Sequence, residues 1–109
     1  MLRIFVDESD KHQGKPLYEL IVLMARDAGL AGATVIRSLM GYGAMSHIHT
    51  AKILRLSDNL PMIVEIIDSE AKIQGFLPEL DQVIEAGLVV LERVQVIHYR
   101  REEKKDESA

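Results

Sequence analysis

Along the chain the apolar residues first cluster as a strand would have them, then step around a helix, and the sequence repeats that change. Residues 2–6, Leu-Arg-Ile-Phe-Val, are rich in β-branched and aromatic side chains and predict a strand, followed by a polar loop over 7–14. From Pro16 the apolar residues Leu17, Leu20, Ile21, Met24 and Ala28 recur at helical spacing, with Pro16 suited to the first helical position and Gly29 to the stop. Residues 34–40 predict a second strand that ends at Gly41-Tyr42-Gly43. A polar loop over 44–50, a short strand-like return over 52–56 and a turn over 57–60 follow. Pro61 opens a third strand, 61–68, at the position where a missing N–H does least harm. Ser69 is suited to cap a second helix whose apolar face is Ile73, Phe76, Leu77, Leu80, Val83 and Ile84. Pro78 predicts a kink in that helix, or its division into two nearly collinear parts. Gly87 stops it, and residues 88–99 predict the last strand.

The order β-α-β-β-α-β is the split βαβ arrangement. The predicted fold class is therefore α+β, ferredoxin-like, a four-stranded antiparallel sheet with both helices on one face. Residues 1–99 make the domain, and 100–109, without an apolar residue before Ala109, a charged tail. The open face of the sheet is not plainly written for water. In the last strand Leu88, Val90, Val94 and Val96 share one side, and Val89, Leu91 and Ile97 the other; in the third, Met62, Val64 and Ile66 lie opposite Ile63 and Ile67. An apolar sheet face of this kind predicts a homo-oligomer that covers it.

Composition narrows the function. A chain of 109 residues holds one core, and 48% apolar with 28% charged residues is the balance of a folded globular domain. Lysine and arginine number 13 against 17 acidic residues, a net charge of −4, which lacks the basic field of a nucleic-acid binder. The absence of cysteine removes disulfides and thiolate chemistry. The longest apolar run, 20–25, is far short of the ~20 residues of a membrane span. Arg3 and Asp7 interrupt any signal-like stretch at the start. The expectation is a soluble cytoplasmic protein with no membrane insertion.

Few residues carry candidate chemistry. His47 and His49, two apart in an extended loop, point to one side and form a candidate metal pair without a nearby third ligand. Gly41 and Gly43 flank Tyr42 at the end of a strand, where a backbone can turn sharply and approach a ligand. Arg37, Lys52 and Arg55 lie near this turn in sequence, and Lys15 precedes a helix start whose free amides favour anions. No fuller phosphate-loop or dinucleotide fingerprint accompanies them. Ser46 beside His47 is not a triad geometry, and no carboxylate pair is set in an apolar surround, so the chain is not expected to be an enzyme.

The strings Gly14-Lys15-Pro16-Leu17-Tyr18-Glu19, Ala28-Gly29-Leu30-Ala31-Gly32-Ala33-Thr34-Val35, Gly41-Tyr42-Gly43, Ile48-His49-Thr50, Leu60-Pro61 and Phe76-Leu77-Pro78-Glu79-Leu80 resemble an uncharacterised family of small PII-like proteins within the PII nitrogen-regulatory superfamily. The resemblance runs to about Ile97. It implies a homotrimer, an adenine nucleotide as candidate ligand in clefts between subunits, and a regulatory loop after the second strand that docks on a transporter, channel or enzyme. Together with the basic residues near the turn, the candidate ligand-binding set is Lys15, Arg37, Gly41, Tyr42, Gly43, His49, Lys52 and Arg55. Met45 stands where PII proteins keep a glutamine, Glu85-Ala86-Gly87-Leu88-Val89 replaces their glycine- and lysine-rich phosphate segment, and Arg100 and Arg101 lie where they keep arginines. PII-type magnesium and 2-oxoglutarate sensing is accordingly not carried over. Trimers of the CutA divalent-ion tolerance type share the architecture, so a metal-binding trimer using His47 and His49 is the alternative reading.

Overall fold

The computed structural model describes residues 1–42 and 60–102. Strand β1 (Leu2–Asp7) leads into a small hairpin, β2 (Lys11–His12) and β3 (Lys15–Pro16), then helix α1 (Leu17–Asp27), β4 (Ala33–Arg37), β5 (Pro61–Ile66), α2 (Glu70–Val83) and β6 (Leu88–Leu91). The main sheet has the order β4-β5-β1-β6, every neighbour antiparallel. This is the expected α+β, ferredoxin-like arrangement, with the first strand of the sheet in its interior.

Period-two patterning decides which face is covered. Leu2, Ile4 and Val6 of β1 and Met62, Val64 and Ile66 of β5 are buried, and Leu17, Ile21 and Ala25 of α1 with Ile73, Phe76 and Leu80 of α2 pack against them. No charged or polar residue is buried in this core among the described residues. On the opposite face the register sets Leu88 beside Phe5, Phe5 beside Ile63 and Ile63 beside Ile36, an apolar row across all four strands. One step along, Arg3 lies between Glu65 and Val90, and its guanidinium meets Glu65 at 2.8 Å and Glu92 at 3.7 Å.

The helices start and stop where local chemistry allows. Gly29, with φ of +78°, ends α1: its N–H donates to the Arg26 carbonyl and the Leu30 N–H to that of Ala25, the paired bonds of a Schellman stop. Ser69 caps α2 by accepting the Lys72 N–H at 3.4 Å. α1 begins one residue later than its proline suggests, because Pro16 pairs with Lys11 in the hairpin and the Leu17 N–H is taken by the Asp10 carbonyl at 2.8 Å. α2 runs through Pro78 as one helix; Phe76 and Leu80, both buried on either side of it, hold the helix over the missing bond.

Two features depart from the sequence pattern. Residues 7–14 include a hairpin turn, Gln13-Gly14, in which both φ angles are positive, 51° and 82°. The last strand stops at Leu91 rather than continuing to Tyr99, because β1 runs only from Leu2 and pairing partners run out at Leu2–Leu91. A final tie follows, the Glu92 N–H to the Met1 carbonyl at 2.8 Å, and residues 93–102 then continue as an exposed arm. The short return expected over 52–56 lies outside the described residues.

Candidate functional site

One end of the sheet gathers the exit of β1, the end of β4 and the start of β5, where Asp7 pairs with Pro61 and Arg37 with Met62. Glu8 ties these together. Its N–H donates to the Leu60 carbonyl at 2.9 Å, and its carboxylate takes two bonds from Arg37, Nε at 3.0 Å and Nη2 at 3.1 Å. The hydrogen bond to Glu8 and its charge push the Arg37 guanidinium further up than its already high ordinary value. Past β4, Ser38 donates both its N–H and its hydroxyl to the Pro61 carbonyl, at 3.2 and 2.8 Å. The backbone at Gly41 then runs so close to the Pro61 ring that a Cβ there would lie 3.2 Å from Cγ. Tyr42 follows, exposed.

Lys15 belongs to the same end, on the hairpin that leaves β1 and leads into α1, which starts without a side-chain cap. The acidic side chains of the intervening loop are turned to local work: Asp10 accepts the Asp7 N–H, and Asp7 accepts the N–H and hydroxyl of Ser9. Of the eight candidate ligand residues, Lys15, Arg37, Gly41 and Tyr42 therefore share one end of the fold. Gly43, His49, Lys52 and Arg55, and with them the metal candidate His47, lie outside the described residues.

The opposite end holds a groove of about 790 Å³ between the arm and the body, walled by Thr34, Glu65, Asp68 and Ser69 on one side and Val96 and His98 on the other. Asp68 joins the two connections that reach this end: its carboxylate accepts the Ala31 N–H at 2.8 Å and the Ser69 N–H at 2.6 Å. Partial burial pushes this carboxyl up, but the backbone bonds from Ser69 and Ala31, the charge of Lys72 and the Ser69 hydroxyl together outweigh it, leaving Asp68 below its ordinary range. With Glu65 and Asp68 on its walls the groove does not suit an anion.

Residues 1–96 match the family model DUF190, Uncharacterized ACR, COG1993. The chain belongs to this family. DUF190 is known as PII-like, and the sheet order with both helices on one face fits that likeness. Similar proteins include a UPF0166 protein of Aquifex aeolicus, 44% identical over 98 residues that cover 90% of this chain and 92% of the relative. A UPF0166 protein of Methanocaldococcus jannaschii is 38% identical over 92 residues, 84% of each chain. A second Aquifex aeolicus UPF0166 protein is 30% identical over 70 residues, 64% of this chain and 73% of the relative.

The DUF190 match spans both ends of the sheet and the body side of the groove that sequence patterning did not signal, but stops at residue 96, short of His98 and Tyr99 on the arm. His98 looks solitary in the sequence because its neighbours across the groove, Thr34 and Asp68, are distant along the chain. Among the described residues no three His, Asp or Glu side chains stand together as metal ligands, and no helix is long and apolar enough to cross a membrane.

Proposed function

We propose that this protein is a non-enzymatic, PII-like regulator: a homotrimer that binds a small anionic ligand in clefts between subunits and acts on a partner protein through the loop after β4. An adenine nucleotide is the first candidate. The observation that carries the reading is the convergence of Lys15, Arg37, Gly41 and Tyr42 at the sheet end from which that loop leaves. Lys15 supplies charge, Arg37 adds to it once a ligand displaces Glu8, the start of α1 adds a favourable dipole, and the exposed Tyr42 ring offers a surface for a base. A ligand held at the root of a loop biases that loop directly, which is how a binding module signals without catalysis. The apolar row on the open sheet face supports the oligomer, because a sheet covered on one side only leaves this surface to another chain.

Calorimetric titration with adenine nucleotides and cyclic dinucleotides tests the reading. Binding that weakens in Lys15→Ala and Arg37→Ala supports it. No heat from any of them at millimolar ligand removes it.

A further inference from the structure

We propose that the trough between α2 and β6 is a docking surface for a basic amphipathic helix of a partner protein. The inference goes beyond the reading above and uses neither its ligand nor its loop. The pairs Ile4–Val89 and Leu2–Leu91 put Val89 and Leu91 on the side of the sheet that the helices cover. Ile4 and Leu2 are fully buried there, yet Val89 is 41% and Leu91 49% exposed, so the helix layer stops short of β6. The strip it leaves is concave. One hollow of about 280 Å³ has Ile73, Leu91, Glu70 and Glu92 in its walls, and a second of about 430 Å³ has Leu77, Pro78, Ile84, Val89 and Asp81. Ile73, Leu77 and Ile84 follow one face of α2, so the two hollows lie in line along that helix.

Charge selects the occupant. Residues 68–92 hold six carboxylates, Asp68, Glu70, Glu79, Asp81, Glu85 and Glu92, against one cation, Lys72, in a chain whose net charge is −4. The rest of the chain therefore carries a slight positive excess, and the acidity belongs to α2 and its two flanks. The last turn of α2 has no basic residue, while Asp81 within it and Glu85 just beyond add to the negative pole of the helix, where carboxylates are unfavourable. Among the described residues Glu79, Asp81 and Glu85 make no ion pair. A helix with one apolar face bordered by lysine or arginine answers both halves of the trough, apolar side chains entering the hollows and cations meeting the rim. Laid antiparallel to α2, it also brings its positive N-terminus to the negative end of α2. The 14 residues of α2 give the trough a length of roughly 20 Å, about four helical turns. A second copy of this chain presents the same acidic helix, which like charge keeps away.

The probe is a leucine–lysine peptide of about four turns with its leucines at helical spacing, titrated into the full chain at physiological salt and followed by fluorescence anisotropy. The control is a peptide of the same composition with its leucines dispersed. The patterned peptide is expected to bind about tenfold more tightly than the control. Its binding should weaken about threefold or more both in the double variant Glu79→Gln, Asp81→Asn and in Val89→Thr, which keeps the side-chain shape. The double variant should melt no lower than wild type, because it relieves charge at the helix end, and its mass in solution should be unchanged. Equal affinity for the two peptides, binding indifferent to these substitutions, or a changed assembly in the double variant, which gives the trough to a second copy, each overturns the proposal. Nucleotide is absent throughout, so a failure here is separate from a failure of ligand binding.

Discussion

Arg3 and Glu65 face each other across β1 and β5 on the open side of the sheet, Nε to Oε2 at 2.8 Å, with both side chains about a quarter to a third exposed. Glu92 approaches the same guanidinium at 3.7 Å. Removing the arginine leaves two carboxylates on one face with no counter-charge. Arg3→Ala is expected to cost about 1 kcal/mol, which lowers Tm by about 4–8 °C in a domain of this size. Arg3→Met with Glu65→Leu should recover most of the loss, since an apolar pair replaces a broken ionic one. Thermal melts of the three proteins check this; equal melts for Arg3→Ala and wild type would leave the pair without energetic weight.

Asp68 links the entry to β4 with the start of α2, and its carboxyl lies below the ordinary value because its hydrogen bonds favour the anion. A carboxyl held down in the folded state adds stability above its unfolded value of about 3.9, and that stability fades as pH falls through the folded value. Asp68→Ala should therefore lose roughly 1 kcal/mol at neutral pH, where solvent exposure keeps the figure small, and the gap to wild type should narrow in acid as pH falls through the lowered folded value. Urea titrations at neutral and acid pH measure the difference. A gap that stays constant with pH contradicts the assignment.

Gly87 joins α2 to β6 with φ of +150°, and a Cβ there would lie 2.7 Å from the Phe5 carbonyl oxygen. No side-chain rotation relieves a clash with backbone. Gly87→Ala is expected to destabilise by about 2–3 kcal/mol and to loosen the Phe5–Leu88 pairing first. Loss of exchange protection confined at the outset to β6 and its partner in β1 is the signature to look for.

Glu8 competes with any anion for Arg37. Glu8→Gln keeps the side-chain shape and removes the charge, so nucleotide affinity should rise about two- to fivefold, the worth of an exposed ion pair. Calorimetry on wild type and variant reads the change directly. Weaker binding in Glu8→Gln would place the ligand away from Arg37.

The strands and helices of the main sheet were legible because each carries an unbroken period: Leu2, Ile4 and Val6 in β1, Met62, Val64 and Ile66 in β5, and Ile73, Phe76 and Leu80 in α2. Gly29 and Ser69 announced their roles as stop and cap. The hairpin was hidden, since two-residue strands have no period and Gln13 is an unusual residue for a positive φ. The end of β6 was hidden for another reason. Alternation continues to Tyr99, but strand length is decided by a partner, and β1 begins at Leu2. At the candidate site the residue types near the glycine turn were readable, while the hold of Glu8 on Arg37 joins positions 29 residues apart and has no local signal. The groove likewise depends on where the arm travels after its last backbone tie.

The place of β1 between β5 and β6 has a kinetic consequence. Of the strands in this sheet, β1 is the first to be synthesised, yet its two neighbours span Pro61–Ile66 and Leu88–Leu91. Until β5 has emerged from the ribosome, Leu2, Ile4 and Val6 have no strand to pair with, and the nascent chain carries an unsatisfied apolar strand for most of its translation. The sheet is thus completed late, when β6 closes against the far side of β1, with the slow, long-range closure that such strand orders impose.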